Sequence, residues 1–381
     1  MSRGNRFRQA FGAKAKDGFA AEGRSLHRGG GGARDGGDGG KRLDAAIEQL
    51  RLLLDARRRD LSPEQVREAE QEIRALEDVT EAYRQTDVLP TDDRAQVRLE
   101  ALIRSDGTRP ACLIKDGCLL APEALGELGD LYRIGPIQFD EAFAATGRIS
   151  DGRRFHGGGC LVRVETADGI EEGVLTARHV VQAIASDPAT LRFAAGAEID
   201  FNGEIGSLRP NRHRLAEVIA SGPDPINGNS APDAWDFALV RLGEPIDGGT
   251  TPPPAGIGLQ TYLVEDNASA AVVSFPGHPG LRPSQLMPGT IWHQLFQGLW
   301  NVKRFSPATL LPRPNDGDYA NLKPHMMLHD ATTTGGSSGG ALLAVGSGQV
   351  AGVHVGGRAE TANLAVRLSA IADRCGWRAA A

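Results

Sequence analysis

The larger, C-terminal part of the chain reads as a mainly β protein, and the part before it as an α-helical region. Two observations carry that division. Between residues 136 and 381, short apolar stretches alternate with Gly, Pro and Asp turns. Leu161-Val162-Arg163-Val164, then Ala167-Asp168-Gly169, then Gly173-Val174-Leu175 is one example. Such punctuation predicts an all-β barrel or sandwich. Between 41 and 88, apolar residues recur instead at spacings of three and four, one face of a helix.

The elements follow in order. Residues 1–40 are rich in Gly, Arg and Asp, with Gly29 to Gly32 in a row, and too poor in apolar residues to pack. They are expected to form a disordered tail. From Lys41, the residues Leu43, Ile47, Leu50 and Leu54 mark a first helix. Ser62-Pro63-Glu64-Gln65 opens a second, with Ser as N-cap, Pro at the first helical position and Gln closing a capping box. Its apolar face runs through Val66, Ala69, Ile73, Leu76 and Tyr83, so residues 41–88 predict a helical hairpin ending near Leu89-Pro90. Two short helices expose too much apolar surface to stand alone. They are read first as a packed spacer, with docking, self-association and recruitment of a protein partner left open. Residues 89–135 form a small α+β connecting segment. Thr91 caps a helix through Val97, Leu102 and Ile103, a hairpin turns at Lys115-Asp116-Gly117, and Gly126-Glu127-Leu128-Gly129-Asp130 leads into the β domain of 136–381.

Composition excludes several classes. With 381 residues, 40% hydrophobic and 24% charged, the chain can build a substantial core. A net charge of -6 gives no reason to expect a nucleic-acid partner. No apolar run approaches the ~20 residues of a membrane span, and the basic start, Met1 to Arg8, lacks the apolar core of a secretory signal. The expected location is therefore cytoplasmic, where the four cysteines, Cys112, Cys118, Cys160 and Cys375, are expected to be free thiols. No His-Glu-x-x-His pair or cysteine–histidine cluster supports a metal, and the early glycine runs lack the lysine and strand context of a phosphate loop. No cofactor is expected.

Three local patterns carry chemistry. Thr332-Thr333-Thr334-Gly335-Gly336-Ser337-Ser338-Gly339-Gly340 surrounds Ser338 with four glycines. Such a turn can aim the N–H groups of Gly336 and Ser338 at one point, as an oxyanion hole. In Gly173-Val174-Leu175-Thr176-Ala177-Arg178-His179-Val180-Val181, an apolar strand runs into a small-residue turn that presents His179. In Asp233-Ala234-Trp235-Asp236-Phe237-Ala238-Leu239-Val240, Asp236 heads an apolar strand. Asp233 is the alternative acid; Asp236 is favoured because it leads directly into the strand. A serine hydroxyl needs a base to become a nucleophile, and a buried carboxylate to hold that base. The order histidine, aspartate, serine is the order that one such arrangement requires.

With these motifs the chain resembles the trypsin-like serine peptidases, in the branch of the bacterial glutamyl endopeptidases. Leu175 to Val181 is similar to that family's histidine motif, Asp236-Phe237-Ala238-Leu239 to its aspartate motif, and Gly336-Ser337-Ser338-Gly339-Gly340 to its serine motif. Softer matches lie at Gly157 to Val162, Val272 to Gly277, Gly352 to Gly357 and Asn363 to Val366, so the resemblance spans roughly 136–381. It implies two six-stranded β-barrels with the site at their junction, His179 and Asp236 from the first and Ser338 from the second. It also implies hydrolysis of peptide bonds in protein or peptide substrates through an acyl-enzyme.

Departures from the family pattern are informative. Ser337 stands where pancreatic-type enzymes carry an aspartate for a newly cut N-terminus, so Arg148-Ile149 is not read as an activation cut. Thr332 occupies the pocket-base position, six before Ser338, which disfavours a preference for Lys or Arg. The resemblance assigns Thr333, His354 and Gly356 to the substrate pocket, where Thr333 and His354 would hold an acidic side chain; the alternative makes His354 a structural strand residue. His278, His293, His325 and His329 are read as loop or pocket-rim residues. Arg178, beside the base, either tunes it or faces solvent. Two rivals remain: a peptidase-fold peptide-binding or scaffold protein, and an adaptor recruited through its N-terminal helices.

Overall fold

In the computed structural model, the described residues are 109–120 and 136–379, apart from 194–195, 208–209, 227–232, 247–250, 278–295, 316–318 and 359–361, together with scattered positions from 47 to 81. The chain divides into two compact units. One comprises Met1–Thr108 with Gly280–Gly298, the other Arg109–Pro279 with Leu299–Ala381. In the first unit the described residues Ile47, Arg51, Val66, Glu70, Ile73 and Glu77 are helical. Ile47, Val66 and Ile73 are buried, and Arg51 pairs with Glu77 across 26 residues of sequence. The expectations for residues 1–40 and 89–108 lie outside the described residues.

The second unit holds two closed barrels. The first consists of β3 (Thr146–Ser150), β4 (Phe155–Thr166), β5 (Gly169–Thr176), β8 (Glu198–Asp200), β9 (Arg212–Ser221) and β10 (Ala238–Pro245). The ring runs β4-β3-β8-β9-β10-β5 and closes because β5 pairs back onto β4 from Cys160↔Leu175 to Thr166↔Gly169. The second consists of β11 (Ser269–Ser274), β12 (Arg304–Leu311), β13 (Met326–His329), β14 (Ala341–Ala344), β15 (Val350–Arg358) and β16 (Ala362–Arg367). Its ring runs β11-β14-β15-β16-β13-β12 and closes through six β11–β12 partners, Ser269↔Thr309 to Ser274↔Arg304. This is the chymotrypsin-like architecture. Closure leaves no sheet edge within either ring. A two-stranded sheet of β6 (Ala185–Asp187) and β7 (Arg192–Phe193) lies beside the first barrel.

Continuous burial on the central strands explains why these residues pack as barrels. β4 has eight consecutive positions, Gly157 to Val164, of which all but Arg163 are buried. Ile149, Val162, Val164, Val174, Val240, Val273, Phe305 and Leu343 are wholly buried in one cluster that reaches both barrels. Each side chain of this size contributes about 1.5–3 kcal/mol when taken out of water.

The connection between barrels is stitched to both. Ile257 bridges to Val162 of β4 and Leu259 to Val350 of β15, with Ile257 N donating to Leu161 O at 3.0 Å. Lys303 adds a buried pin: its Nζ donates to the carbonyls of Phe143 at 2.6 Å and Phe201 at 2.8 Å, and reaches Glu204 at 3.3 Å. Burial lowers its pKa, so the two carbonyls and the carboxylate are what keep a charge acceptable there.

Elements outside the rings tie the termini of this unit down. β1 (Cys112–Lys115) and β2 (Cys118–Leu119) form the hairpin expected at Lys115-Asp116-Gly117, with Asp116 and Gly117 at φ 52 and 73, the left-handed turn that Asp-Gly favours. This hairpin, set in the connecting segment by sequence, joins the second barrel through β12. Helix α1 (Pro136–Ala145) packs Phe139 and Phe143 on Phe305, ring centroids 5.3 and 5.7 Å apart. Helix α2 (Arg178–Ile184) follows β5, and helix α3 (Leu368–Cys375) ends at Gly376 in the left-handed conformation. After α3, Trp377 meets Phe237 edge-on and β17 (Arg378–Ala379) pairs with β4. None of the four cysteines forms a disulfide, and register sets Cys118 opposite Lys115. Burial pushes the Cys160 thiol up to about 12.

Candidate active site

His179 sits in the first turn of α2, launched by β5, and Asp236 stands two residues before β10, which pairs with β5 at Ala238↔Thr176. That pairing brings the two side chains together. His179 Nδ1 lies 2.6 Å from Asp236 Oδ2, and the backbone N of His179 donates to Oδ1 at 3.0 Å. Asp236 is 1% exposed, so its charge is held out of water and offered to one partner. With Nδ1 carrying the proton toward this carboxylate, Nε2 is left with its lone pair. Asp233 forms no such bond among the described residues.

Arg178 is the neighbour whose role sequence leaves open. It is buried, and its Nη1 donates to Ser221 Oγ at 2.7 Å and Gly222 O at 2.8 Å. Gly222 N in turn donates to Phe237 O at 3.0 Å. Arg178 therefore braces the strand end beside Asp236 rather than facing solvent, and burial lowers its pKa. On the other side, His325 stacks on Trp235 with centroids 4.0 Å apart and planes 10° apart, and its Nε2 lies 3.3 Å from Ala234 O. The residues before Asp236 are thus anchored to the second barrel.

Ser338 lies in the turn between β13 and β14. The turn is held by its own backbone: Ser337 N donates to Thr334 O and Gly340 N to Ser337 O, both at 3.0 Å. Gly336 and Gly339 take φ of +93 and +81, which glycine adopts at no steric cost. The N–H groups of Gly336 and Ser338 donate to no backbone acceptor among the described hydrogen bonds. Ser337 is fully buried, with Oγ accepting from Thr334 N at 3.3 Å, and needs no distant charged partner. Ile149, wholly buried within β3, is paired with Gly157 on one side and Ile199 on the other. A cut at Arg148-Ile149 would sever a barrel strand.

The Ser338 turn meets the first barrel through backbone. Gly158 N donates to Ser338 O at 2.8 Å, and Gly157 is packed so closely that an added Cβ would lie 2.7 Å from both Ser338 O and Val180 Cγ2. Ser338 is thereby seated beside the residue that follows His179. Among the described hydrogen bonds none joins Ser338 Oγ to His179; in free enzymes such bonds are often long and tighten with substrate.

The residues assigned to the pocket lie around the same turn. His354 on β15 brackets it, Gly339 N donating to His354 O at 2.7 Å and His354 N to Gly340 O at 3.0 Å. His354 Nδ1 lies 3.1 Å from His329 Nε2, and His329 Nδ1 accepts from Ala331 N at 3.3 Å. The chain of bonds puts the His329 proton on Nε2 and the His354 proton on its own Nε2. Burial first, then the neighbouring His329 and His179, hold the His354 pKa well below 6.5. Gly356, at φ +147, follows a bulge in β15 and faces Leu364. Thr333 is partly exposed, while Thr332 is buried. His329, expected in a loop or at the pocket rim, is instead wholly buried on β13; its partner lies 25 positions away, beyond the reach of any local pattern. His278 and His293 lie outside the described residues. Among the described residues no cluster of three metal-ligating side chains occurs, and no helix is long and apolar enough to cross a membrane.

The profile of the trypsin-like peptidase domain matches residues 157–353. The chain belongs to the trypsin-like peptidase family and is a serine protease, a hydrolase of peptide bonds. It is similar to a "Probable serine protease" of Lysobacter enzymogenes, 29% identical over 294 residues, covering 71% of this chain and 73% of that one. Among solved structures, it is similar to neuropsin, a serine protease expressed in the limbic system of mouse brain, with 15% identity, 61% of this chain and 93% of that chain covered, and a TM-score of 0.43. A mutant of human heparin binding protein gives 15% identity, 61% and 90% coverage, and a TM-score of 0.40. The closure of the two rings, rather than these distant overlaps, fixes the fold.

Proposed function

We propose that this chain is an endopeptidase in which Ser338 is the nucleophile, His179 the general base and Asp236 its orienting acid, with a preference for acidic residues before the cut. The observation that carries the reading is the 2.6 Å contact between His179 Nδ1 and the buried Asp236. Such a contact favours the tautomer a base needs. Ser338 Oγ attacks the peptide carbonyl carbon as its proton passes to His179 Nε2, and Asp236 stabilises the imidazolium. The amides of Gly336 and Ser338 receive the oxyanion, each such donor being worth about 2.7–4 kcal/mol in the barrier. His179 then protonates the leaving amine, and water cleaves the acyl-enzyme by the reverse steps.

The acid preference is supported by the His329–His354 pair. His354 is neutral at rest yet keeps a proton on Nε2, so it can donate to a carboxylate, and a carboxylate arriving beside it would favour its protonation. Thr333 supplies a second donor. The partners this reading implies are protein or peptide substrates; any partner of the N-terminal helices is a separate matter.

One experiment tests both parts: profiling of the cuts made in a proteome-derived peptide library by the wild type and by Ser338→Ala. Cuts after Glu and Asp are expected, falling about 10⁶-fold in rate in the variant. Unchanged cutting by Ser338→Ala contradicts the nucleophile. Cuts lost in the variant but without Glu or Asp enrichment contradict only the acid preference.

A further inference from the structure

The strand that precedes the first barrel in sequence is built onto the second. β1 pairs with β12 at Cys112↔Phe305 and Leu113↔Arg304. Just upstream of β1 stands Arg109, and its contacts fall on the segment that leads from β13 to the nucleophile. Its Nη2 donates to Asp330 Oδ2 at 2.7 Å and to Thr309 Oγ1 at 3.0 Å. Its carbonyl accepts from Thr332 Oγ1 at 2.5 Å. Asp330 is held from its other oxygen as well, Oδ1 accepting from Thr309 N at 2.6 Å. The ion pair is largely sheltered, with Arg109 15% and Asp330 24% exposed, so water screens it less than a surface pair.

These bonds decide what the pocket wall can offer. A hydroxyl has one proton, and Thr332 gives its proton to Arg109. Thr332 therefore has no proton left to give a substrate and acts as an anchor. On the far side of Thr333, Thr334 Oγ1 donates to Gly277 O at 3.0 Å. Thr333 is thus carried between two fixed residues, and Arg109 holds one of them.

We propose that Arg109 is a positioning residue of the substrate pocket, clamping Asp330 and Thr332 so that Thr333 is presented to the substrate side chain. The inference rests on the reading of Thr333 as pocket wall given above. It means that a residue upstream of both the family-matched span, 157–353, and the 136–381 resemblance helps to hold the pocket wall.

The test uses the full-length chain with Arg109→Ala, Arg109→Lys and Thr332→Val. For each, kcat and KM are measured on the best-cleaved peptide of the library. The rate of labelling by a small fluorophosphonate, which reads the nucleophile without filling the pocket, is measured in parallel. Loss of the charged hydrogen bonds is expected to raise KM by about tenfold or more in Arg109→Ala, while labelling falls much less. Arg109→Lys, which keeps the charge opposite Asp330, should recover part of that loss, and Thr332→Val should shift KM the same way by less. A lowered melting temperature with wild-type KM in Arg109→Ala overturns the proposal, as does a parallel fall of labelling and kcat/KM in both Arg109→Ala and Thr332→Val. If Arg109→Ala fails to fold, Thr332→Val decides, and a wild-type KM there overturns it. A wild type that takes no label removes the serine-nucleophile reading itself, a failure visible before any variant is made.

Discussion

The two barrels hold their share of the site in different ways. In the first, His179 just after β5 and Asp236 just before β10 are brought together by the pairing of those strands, joined by two direct hydrogen bonds and set on a wholly buried core. In the second, Ser338 rides on a glycine turn fixed by backbone bonds, and it reaches the base only across the junction, through Gly158 N and the close seat at Gly157. The proposed acid and base are thus preset by local folding, whereas the position of the proposed nucleophile depends on how one barrel is seated on the other. Chemistry and alignment can therefore be damaged separately.

The largest effect should come from the preset half. Asp236→Asn keeps the shape of the side chain but no longer favours the tautomer with Nδ1–H, and kcat should fall by about 10⁴-fold with the melting temperature little changed. A fall of only a few fold would mean that the His179–Asp236 contact is structural. A smaller effect should come from the seat. Gly157→Ala places a methyl against Ser338 O and Val180 together, and the resulting shift should lower kcat by about 10²-fold while the His179–Asp236 pair survives. Wild-type turnover in Gly157→Ala would show that the junction tolerates displacement and would erase the contrast between the barrels.

The smallest effect concerns pH. His354 is neutral in the folded chain because burial lowers its pKa below 6.5, and burial displaces His213 and His325 in the same direction. An unfolded histidine takes up a proton near 6.5, so below that pH the unfolded chain binds more protons and stability falls as pH falls. Each such histidine contributes at most about 1.4 kcal/mol per pH unit. The melting temperature should hold steady above that range and drop below it, less steeply in His354→Gln. A drop just as steep in His354→Gln would mean that His354 does not titrate on unfolding in this window.

Much of this was legible before any coordinates. Short apolar runs between Gly and Asp turns mark the strands, because side-chain alternation and turn chemistry are written within a few residues. His179, Asp236 and Ser338 are legible for the same reason, each standing in a compact local motif. What escaped notice was the long-range polar wiring. Arg109 meets Asp330 across 221 positions, His325 reaches Ala234 across 91, and Lys303 bonds Phe143 across 160. Such pairs have no period and no fixed spacing, and a single buried Arg or Lys looks in sequence like any solvated charge. Arg178 shows the same limit beside a readable motif, since its acceptors Ser221 and Gly222 come from another strand.

Every part of the mechanism needs one hydroxyl to be made reactive by a base carried on the other barrel. Labelling of the native chain with a fluorophosphonate, followed by mapping of the modified peptide, tests this directly. The account predicts a single label on Ser338, absent in Ser338→Ala and strongly slowed in His179→Ala. A folded wild type that takes no label, or takes it at another serine, would contradict it.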